Sequence, residues 1–242
     1  MTLRLFVPRA DAAEARLRIA GAELRHLRAL RLGPGERLLV FDEQGAEHEV
    51  RLERLGGHVA EAIILATRRP ARESALDLVL AAALLKGAKM DLVVEKATEL
   101  GARRIVPLLC RHAVARGTRV ERWQRLALAA AKQSGRTSVP AVDPPTPFAD
   151  LVRAPWPGLR LMAWEGERDV PIAALPAQAA AVVMVVGPEG GFAEPEVAEA
   201  RAHGFTSVTL APRVLRAETA AITAVALCQH RWGDLSTARA LR

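Results

Sequence analysis

In the first seventy residues, apolar and polar positions alternate in short runs of the kind that half-buried strands require. Arg37–Phe41 and Glu47–Leu55 flank Asp42–Gly45, a hairpin signal, and "HVAEAIILAT" supplies a further strand. Ahead of them, Gly21–Leu32 places Leu24, Leu27 and Leu30 at helical spacing. The pattern predicts a small barrel-like β module with one short helix. Thr67–Ser74 is polar, contains proline and has no period, so it reads as a linker.

Beyond the linker the rhythm changes. "LDLVLAAALL", "RIVPLL", "LRLMAWE", "AAAVVMVVG" and "TSVTLA" read as strands. Between and after them, "KMDLVVEKATELG", "VERWQRLALAAAKQSG", "EPEVAEARAHG" and "AETAAITAVALCQHRW" carry the helical period, three of them closed by glycine. Pro140–Pro147 is expected to be a plain connection. Strands alternating with helices predict an α/β domain with a mostly parallel sheet covered on both faces. Ligands of such sheets bind outside the carboxyl ends of strands. Three strand ends stand out here: Trp164–Asp169, "GPEGGF" and Leu210–Thr219.

Charge adds a partner to this picture. The chain of 242 residues carries a formal +7. From Arg103 to Arg136, nine bases (Arg103, Arg104, Arg111, Arg116, Arg119, Arg122, Arg125, Lys132 and Arg136) face one acid, Glu121, a local excess of +8. Such an excess points to a polyanion. Tyrosine is absent and aromatics make up 4% of the chain, which argues against a base-stacking platform. Two cysteines, Cys110 and Cys228, give neither a disulfide framework nor metal-ligand spacing, and they are expected to be small buried hydrophobes. The apolar runs are too short to span a membrane, and the start lacks signal-peptide features. These readings predict a cytoplasmic protein with no membrane partner and no metal.

The loop Gly187-Pro188-Glu189-Gly190-Gly191 then asks which ligand tolerates a carboxylate among glycines. A phosphate loop would offer lysine followed by serine or threonine, and Glu189 would repel phosphate oxygens. The spacing also misses the dinucleotide fingerprint. A ligand with hydroxyls, an adenine edge or positive charge suits the loop, and S-adenosylmethionine has all three. Arg213 and Arg216 precede a helix N-terminus, where positive charge is unfavourable, so they call for an anion or a polar base edge; Glu218 and Thr219 suit that terminus on their own.

"VVGPEGGFAEPEV" followed by "LAPRVLRAETAAITA" closely resembles the two C-terminal signatures of the ribosomal RNA small-subunit methyltransferase E family, of the SPOUT class. The similarity continues through Leu84–Leu108, Glu121–Arg136 and Leu24–Asp42 and so covers nearly the whole chain. The resemblance implies a PUA-like RNA-binding barrel over residues 1–70 and a SPOUT α/β methyltransferase domain with a C-terminal trefoil knot over 71–242. It implies a homodimer that methylates N3 of one uridine in the 16S rRNA of the small ribosomal subunit, with S-adenosyl-L-methionine as donor. Carried over by position, the cofactor residues are Gly187, Glu189, Gly190, Gly191, Leu210, Ala211, Val214, Leu215, Arg216, Thr219 and Ala220. Ala211 stands where the family often has glycine.

Methyl transfer to N3 requires loss of the N3 proton, either to a base or with cationic donors stabilising the anion. Arg216 is the candidate for the second role and Glu218 or Glu189 for the first, so Arg216 and Glu218 are the catalytic candidates. Arg9, His26, Arg28, Arg31, Arg111 and Arg136 are candidate RNA contacts. Lys86 and Lys89 read equally as donors or as a solvated face. Two alternatives stand beside this expectation: a non-catalytic RNA-binding assembly factor, and a SPOUT 2′-O-methyltransferase acting on another RNA.

Overall fold

The computed structural model describes residues 3–8, 12–13, 15–113 and 119–236. The chain divides into two compact units: residues 1–73 with 131–139, and residues 74–130 with 140–242.

The first unit is a six-stranded sheet formed by β1 (Arg4–Phe6), β2 (Ala12–Ala13), β3 (Arg16–Ala20), β4 (Arg37–Phe41), β5 (Glu47–Leu55) and β6 (Val59–Arg68), with α1 (Gly21–Ala29) after β3. Its order is β1-β4-β5-β6-β3-β2; β1 runs parallel to β4 and every other pairing is antiparallel. Leu5, Leu17, Ile19, Leu27, Leu38, Val40, Val50 and Leu52 fill one core, as alternation along each strand dictates. Strands β1, β2 and β3 add to the three strands expected in these first seventy residues.

The boundary between the two units falls within Thr67–Ser74, after Glu73, and the residues on its first side are tied down. Strand β6 extends to Arg68. Arg72 then reaches the buried carboxylate of Glu47 at 2.9 Å. Glu73 accepts from the Arg136 guanidinium at 2.7 Å and from the backbone N–H groups of Thr137 and Ser138 at 2.8 and 3.1 Å. Polar residues gave the linker signal, and here they are the ones tied down.

The second unit is built on a parallel sheet in the order β10-β8-β7-β12-β11-β13, with the two-residue β9 beside β8. The strands are β7 (Asp77–Ala83), β8 (Arg104–Leu109), β9 (Ala141–Val142), β10 (Thr146–Pro147), β11 (Leu159–Ala163), β12 (Ala181–Val186) and β13 (Thr206–Val208). The expected connection Pro140–Pro147 thus holds two short strands paired to β8. The helices are α2 (Ala88–Glu99), α3 (Val120–Ser134), α4 (Phe148–Arg153), α5 (Glu194–Ala202) and α6 (Ala217–Trp232).

Strands β7 and β12 are continuous apolar runs because helices cover both of their faces. Helix α6 packs on α2, β12 and β7 through small buried residues, Ala217, Ala221, Ala224 and Cys228. Within this face lies Gln229, fully buried; Ser74 donates to its Oε1 at 2.7 Å, and its Nε2 donates to Gly101 O at 3.0 Å. Each of those polar groups would cost about 1–3 kcal/mol if left unpaired. Both cysteines are buried, and burial pushes the Cys228 thiol up to about 12, which leaves it an inert packing residue. No helix among the described residues is long and apolar enough to cross a membrane.

Candidate active site

Three neighbouring strands end level with one another. Val186 of β12 is in register with Ala163 of β11, and Ala163 with Val208 of β13. The chain therefore leaves the sheet side by side at Gly187, Trp164 and Thr209. The three segments that follow enclose a cavity of about 570 Å³. A fourth contribution comes from the neighbouring strand β7, whose helix α2 supplies Lys89.

The glycine segment turns tightly, with the Gly191 N–H donating to Pro188 O at 3.0 Å, so that Glu189 sits at the tip. Gly191 has φ +68°, a conformation open to glycine at little cost. A Cβ there would also run into the Glu165 carboxylate of the adjacent strand end. The turn is anchored from behind. His112 Nδ1 lies 3.2 Å from Gly190 O, and the Glu196 carboxylate accepts from the backbone N–H groups of Arg111 and Ala193 at 2.8 and 2.9 Å. The loop that carries Arg111 is thereby fixed against the glycine turn.

The segment after β13 bends at Leu210 and again at Pro212 and Arg213 before it reaches Arg216, the extended N-cap of α6 (φ −62°, ψ 150°). Ala220 N–H donates to Arg216 O at 2.7 Å, closing the first turn. Ala211 occupies ordinary backbone: Arg31, with φ 56°, is the only non-glycine residue at positive φ among the described residues. A methyl in place of glycine at 211 therefore brings no strain. Arg213 and Arg216 are exposed, line the cavity, and have no acidic partner among the described residues.

Lys89 answers the question raised by Glu189. Its ammonium lies 3.0 Å from Glu189 Oε1 and 3.5 Å from Glu218 Oε2. Burial pushes the Glu189 carboxyl up, but the hydrogen bond and charge of Lys89 outweigh it and hold the group below the ordinary carboxylate value. A carboxylate with a depressed pKa is a weak proton acceptor, so Glu189 suits recognition of positive charge better than base catalysis.

Gly187, Glu189, Gly190, Gly191, Leu210, Ala211, Val214, Leu215, Arg216 and Ala220 lie together on the cavity wall. Thr219 is exposed and off that wall, and Glu218 stands beside Lys89 rather than on the lining. The wall also includes Lys89, Trp164, Glu165, Arg168, Thr209 and Arg213. The third strand end, Trp164–Asp169, was the available signal for three of these.

The candidate RNA contacts fare unevenly. Arg28 is exposed but donates to Gly56 O and Gly57 O at 2.6 and 2.7 Å. His26 is 42% exposed beside Glu23, and Arg31 and Arg111 are exposed. Arg136 is buried and paired with Glu73, so its guanidinium serves the fold and does not face solvent. Arg9 lies outside the described residues. Among the described residues no three His, Cys, Asp or Glu side chains are grouped as a metal centre requires.

The fold matches known proteins. Residues 72–229 fit the family described as RNA methyltransferase domain. The ribosomal RNA small subunit methyltransferase E of a Synechocystis strain is 34% identical, across 93% of this chain and 77% of its own length. The crystal structure of the same enzyme from Neisseria gonorrhoeae, bound to S-adenosyl methionine, superposes with a TM-score of 0.90 at 33% identity, covering 98% of this chain and 100% of that one. A Legionella pneumophila protein in complex with the bound cofactor SAM gives 0.89 at 30% identity, covering 97% and 100%. The chain thus carries an RNA methyltransferase domain. It belongs to the ribosomal RNA small subunit methyltransferase E family.

Proposed function

We propose that this protein transfers a methyl group from S-adenosylmethionine to N3 of a uridine in 16S rRNA of the small ribosomal subunit. The observation that carries the reading is the convergence of the Gly187–Gly191 turn and the Leu210–Ala220 segment on one cavity, in a family with a relative solved with that donor bound. The glycine turn permits close backbone approach, and Glu189 favours a cation over a phosphate.

In the reaction N3 attacks the sulfonium methyl in line, the carbon–sulfur bond breaks, and S-adenosylhomocysteine leaves. The N3 proton is lost to solvent or a carboxylate, and charge spreads onto O2 and O4. Arg216, on the wall with no acidic partner among the described residues, stabilises that charge. Glu189 and Glu218 are both held beside Lys89, which makes electrostatic stabilisation the stronger route. Alignment of donor and acceptor supplies the rest, up to about 7–11 kcal/mol in favourable cases. A paired uracil hides N3, so the base is unpaired or flipped out.

In this reading residues 1–70 form a PUA-like RNA-binding barrel, and residues 71–242 form a SPOUT domain whose last segment is tucked as a trefoil knot. The protein works as a cytoplasmic homodimer. Arg111, fixed beside the glycine turn, and exposed Arg28 and Arg31 meet the RNA backbone; buried Arg136 does not. The test is methylation of rRNA from a strain lacking the enzyme, with mass spectrometry of the nucleosides. The account expects a methyl on the uracil base; a ribose methyl or no incorporation overturns it.

A further inference from the structure

Helix α6 carries Arg216 at its N-cap, and the polar contact that holds the helix in place lies at its far end. The face it turns to α2, β12 and β7 is lined by Ala217, Ala221, Ala224, Val225 and Cys228. Side chains this small give the helix surface little relief, so they bury area without fixing where along its axis the helix sits. Gln229 is the exception on that face. Its fully buried amide is matched at both ends: the Ser74 hydroxyl donates to Oε1 at 2.7 Å, and Nε2 donates to Gly101 O at 3.0 Å. Two glycines leave the room it needs. A Cβ on Gly101 would come 2.8 Å from Nε2, and one on Gly233 would run into Oε1. Ser74 Oγ in turn accepts from the Leu76 N–H at 3.2 Å, just ahead of β7.

Three elements therefore meet at this amide: the C-terminal end of α2, the approach to β7 and the last turn of α6. Helices α2 and α6 meet again at their N-terminal ends, where Lys89 lies 3.5 Å from Glu218. That second contact is a weak guide, because Lys89 is 37% exposed and an ion pair open to solvent holds its geometry loosely. The amide is a strict one. A slide or rotation of α6 breaks both of its bonds and leaves buried polar groups unpaired, with no solvent to turn to. A single buried polar side chain can set the register of packed helices in this way. We infer that Gln229 is a positioning residue for methyl transfer: it fixes the register of α6 on α2 and β7, and so the place of Arg216 on the cavity wall. A rise of about 1.5 Å per residue puts Arg216 roughly 20 Å from Gln229, and the helix between them acts as a rod. The inference rests on the role proposed above for Arg216.

The test is a double-mutant cycle on the full chain, read by single-turnover methyl transfer to rRNA at saturating S-adenosylmethionine. Gln229→Met keeps the length of the side chain and removes both bonds. It is expected to slow transfer about tenfold, since a small misplacement of a catalytic group is felt on that scale or above. In an Arg216→Ala background the same substitution should change the rate less than twofold, because the group it positions is gone. Ser74→Ala breaks only one of the two bonds and should slow transfer about threefold, again only with Arg216 present; it carries the test if Gln229→Met does not fold. An unchanged rate with Arg216 present, or equal losses in the two backgrounds, overturns the inference. Equal losses are what a residue serving stability alone would give. Full activity of Arg216→Ala by itself would defeat the role of Arg216 and the inference with it, a result read without any substitution at Gln229.

Discussion

Residues 103–136 and residues 210–220 both bring arginines together, and the fold treats them in opposite ways. Along the first stretch acids from distant parts of the chain meet the bases: Arg103 pairs with Asp77, Arg104 with Asp143, Arg122 with Asp91, Lys132 with Glu23 and Arg136 with Glu73. Five of the nine bases are paired in this way, so the local +8 overstates the charge that the folded surface presents. In the second stretch Arg213 and Arg216 stand on a cavity wall with no acid within ion-pair distance among the described residues. A charge left without an acid at a helix N-terminus, where the dipole disfavours it, is open to an anionic ligand.

The sharpest way to break this contrast is Arg216→Ala. If Arg216 stabilises the uracil anion, kcat on rRNA should fall about 10²–10³-fold, the range seen for loss of one such donor, while the affinity for S-adenosylmethionine changes little. Single-turnover assays alongside calorimetry read the two quantities separately.

Arg136→Ala probes the other kind of arginine. It strands a largely buried Glu73 and should cost about 3 kcal/mol, the low end for a broken buried pair, because Glu73 keeps its backbone N–H donors. Chemical denaturation measures it. The same pair gives a pH signature. Burial raises the Glu73 carboxyl, but Arg136, Ser138 and Thr137 outweigh it and leave it below its ordinary value. A depressed carboxylate contributes stability that is present above the unfolded pKa, about 4.3, and is lost as pH falls through the lower folded value. Glu73→Gln should therefore flatten the acid limb of the stability profile, and an unchanged limb would contradict the assignment.

The smallest effect concerns RNA. Arg111→Ala should reduce the slope of log affinity against log salt by about 1, the loss of one phosphate contact, whereas Arg122→Ala, already neutralised by Asp91, should leave the slope unchanged. Equal changes from the two substitutions would erase the distinction drawn between them.

Much of this was legible in the residues. Strands β7, β8, β11, β12 and β13 and helices α2, α3, α5 and α6 follow from their periodicity, because continuous apolar runs and glycine stops are local signals; the short β9, β10 and α4 do not. The Gly187–Gly191 turn and Leu210–Thr219 announce themselves as strand ends opening onto glycines or arginines. What stayed hidden depends on residues far apart in the chain. Glu73 reads as linker because its partners lie 63 to 65 residues away. Lys89 is ambiguous until the sheet places β7, and with it the start of α2, beside β12. Gln229 looks like any polar residue near a helix end, yet it is fully buried between Ser74 and Gly101. Charge counted along a window cannot register acids that only the fold delivers.

The central claim is that the cavity formed after β11, β12 and β13 holds the methyl donor. The most direct measurement is a crystal structure of the chain soaked with S-adenosylmethionine. The ligand is expected between the Gly187–Gly191 turn and the Leu210–Ala220 segment, with its sulfonium methyl on the side of Arg216. Crystals that come back with that cavity empty at saturating donor, or with the donor bound elsewhere, would contradict it.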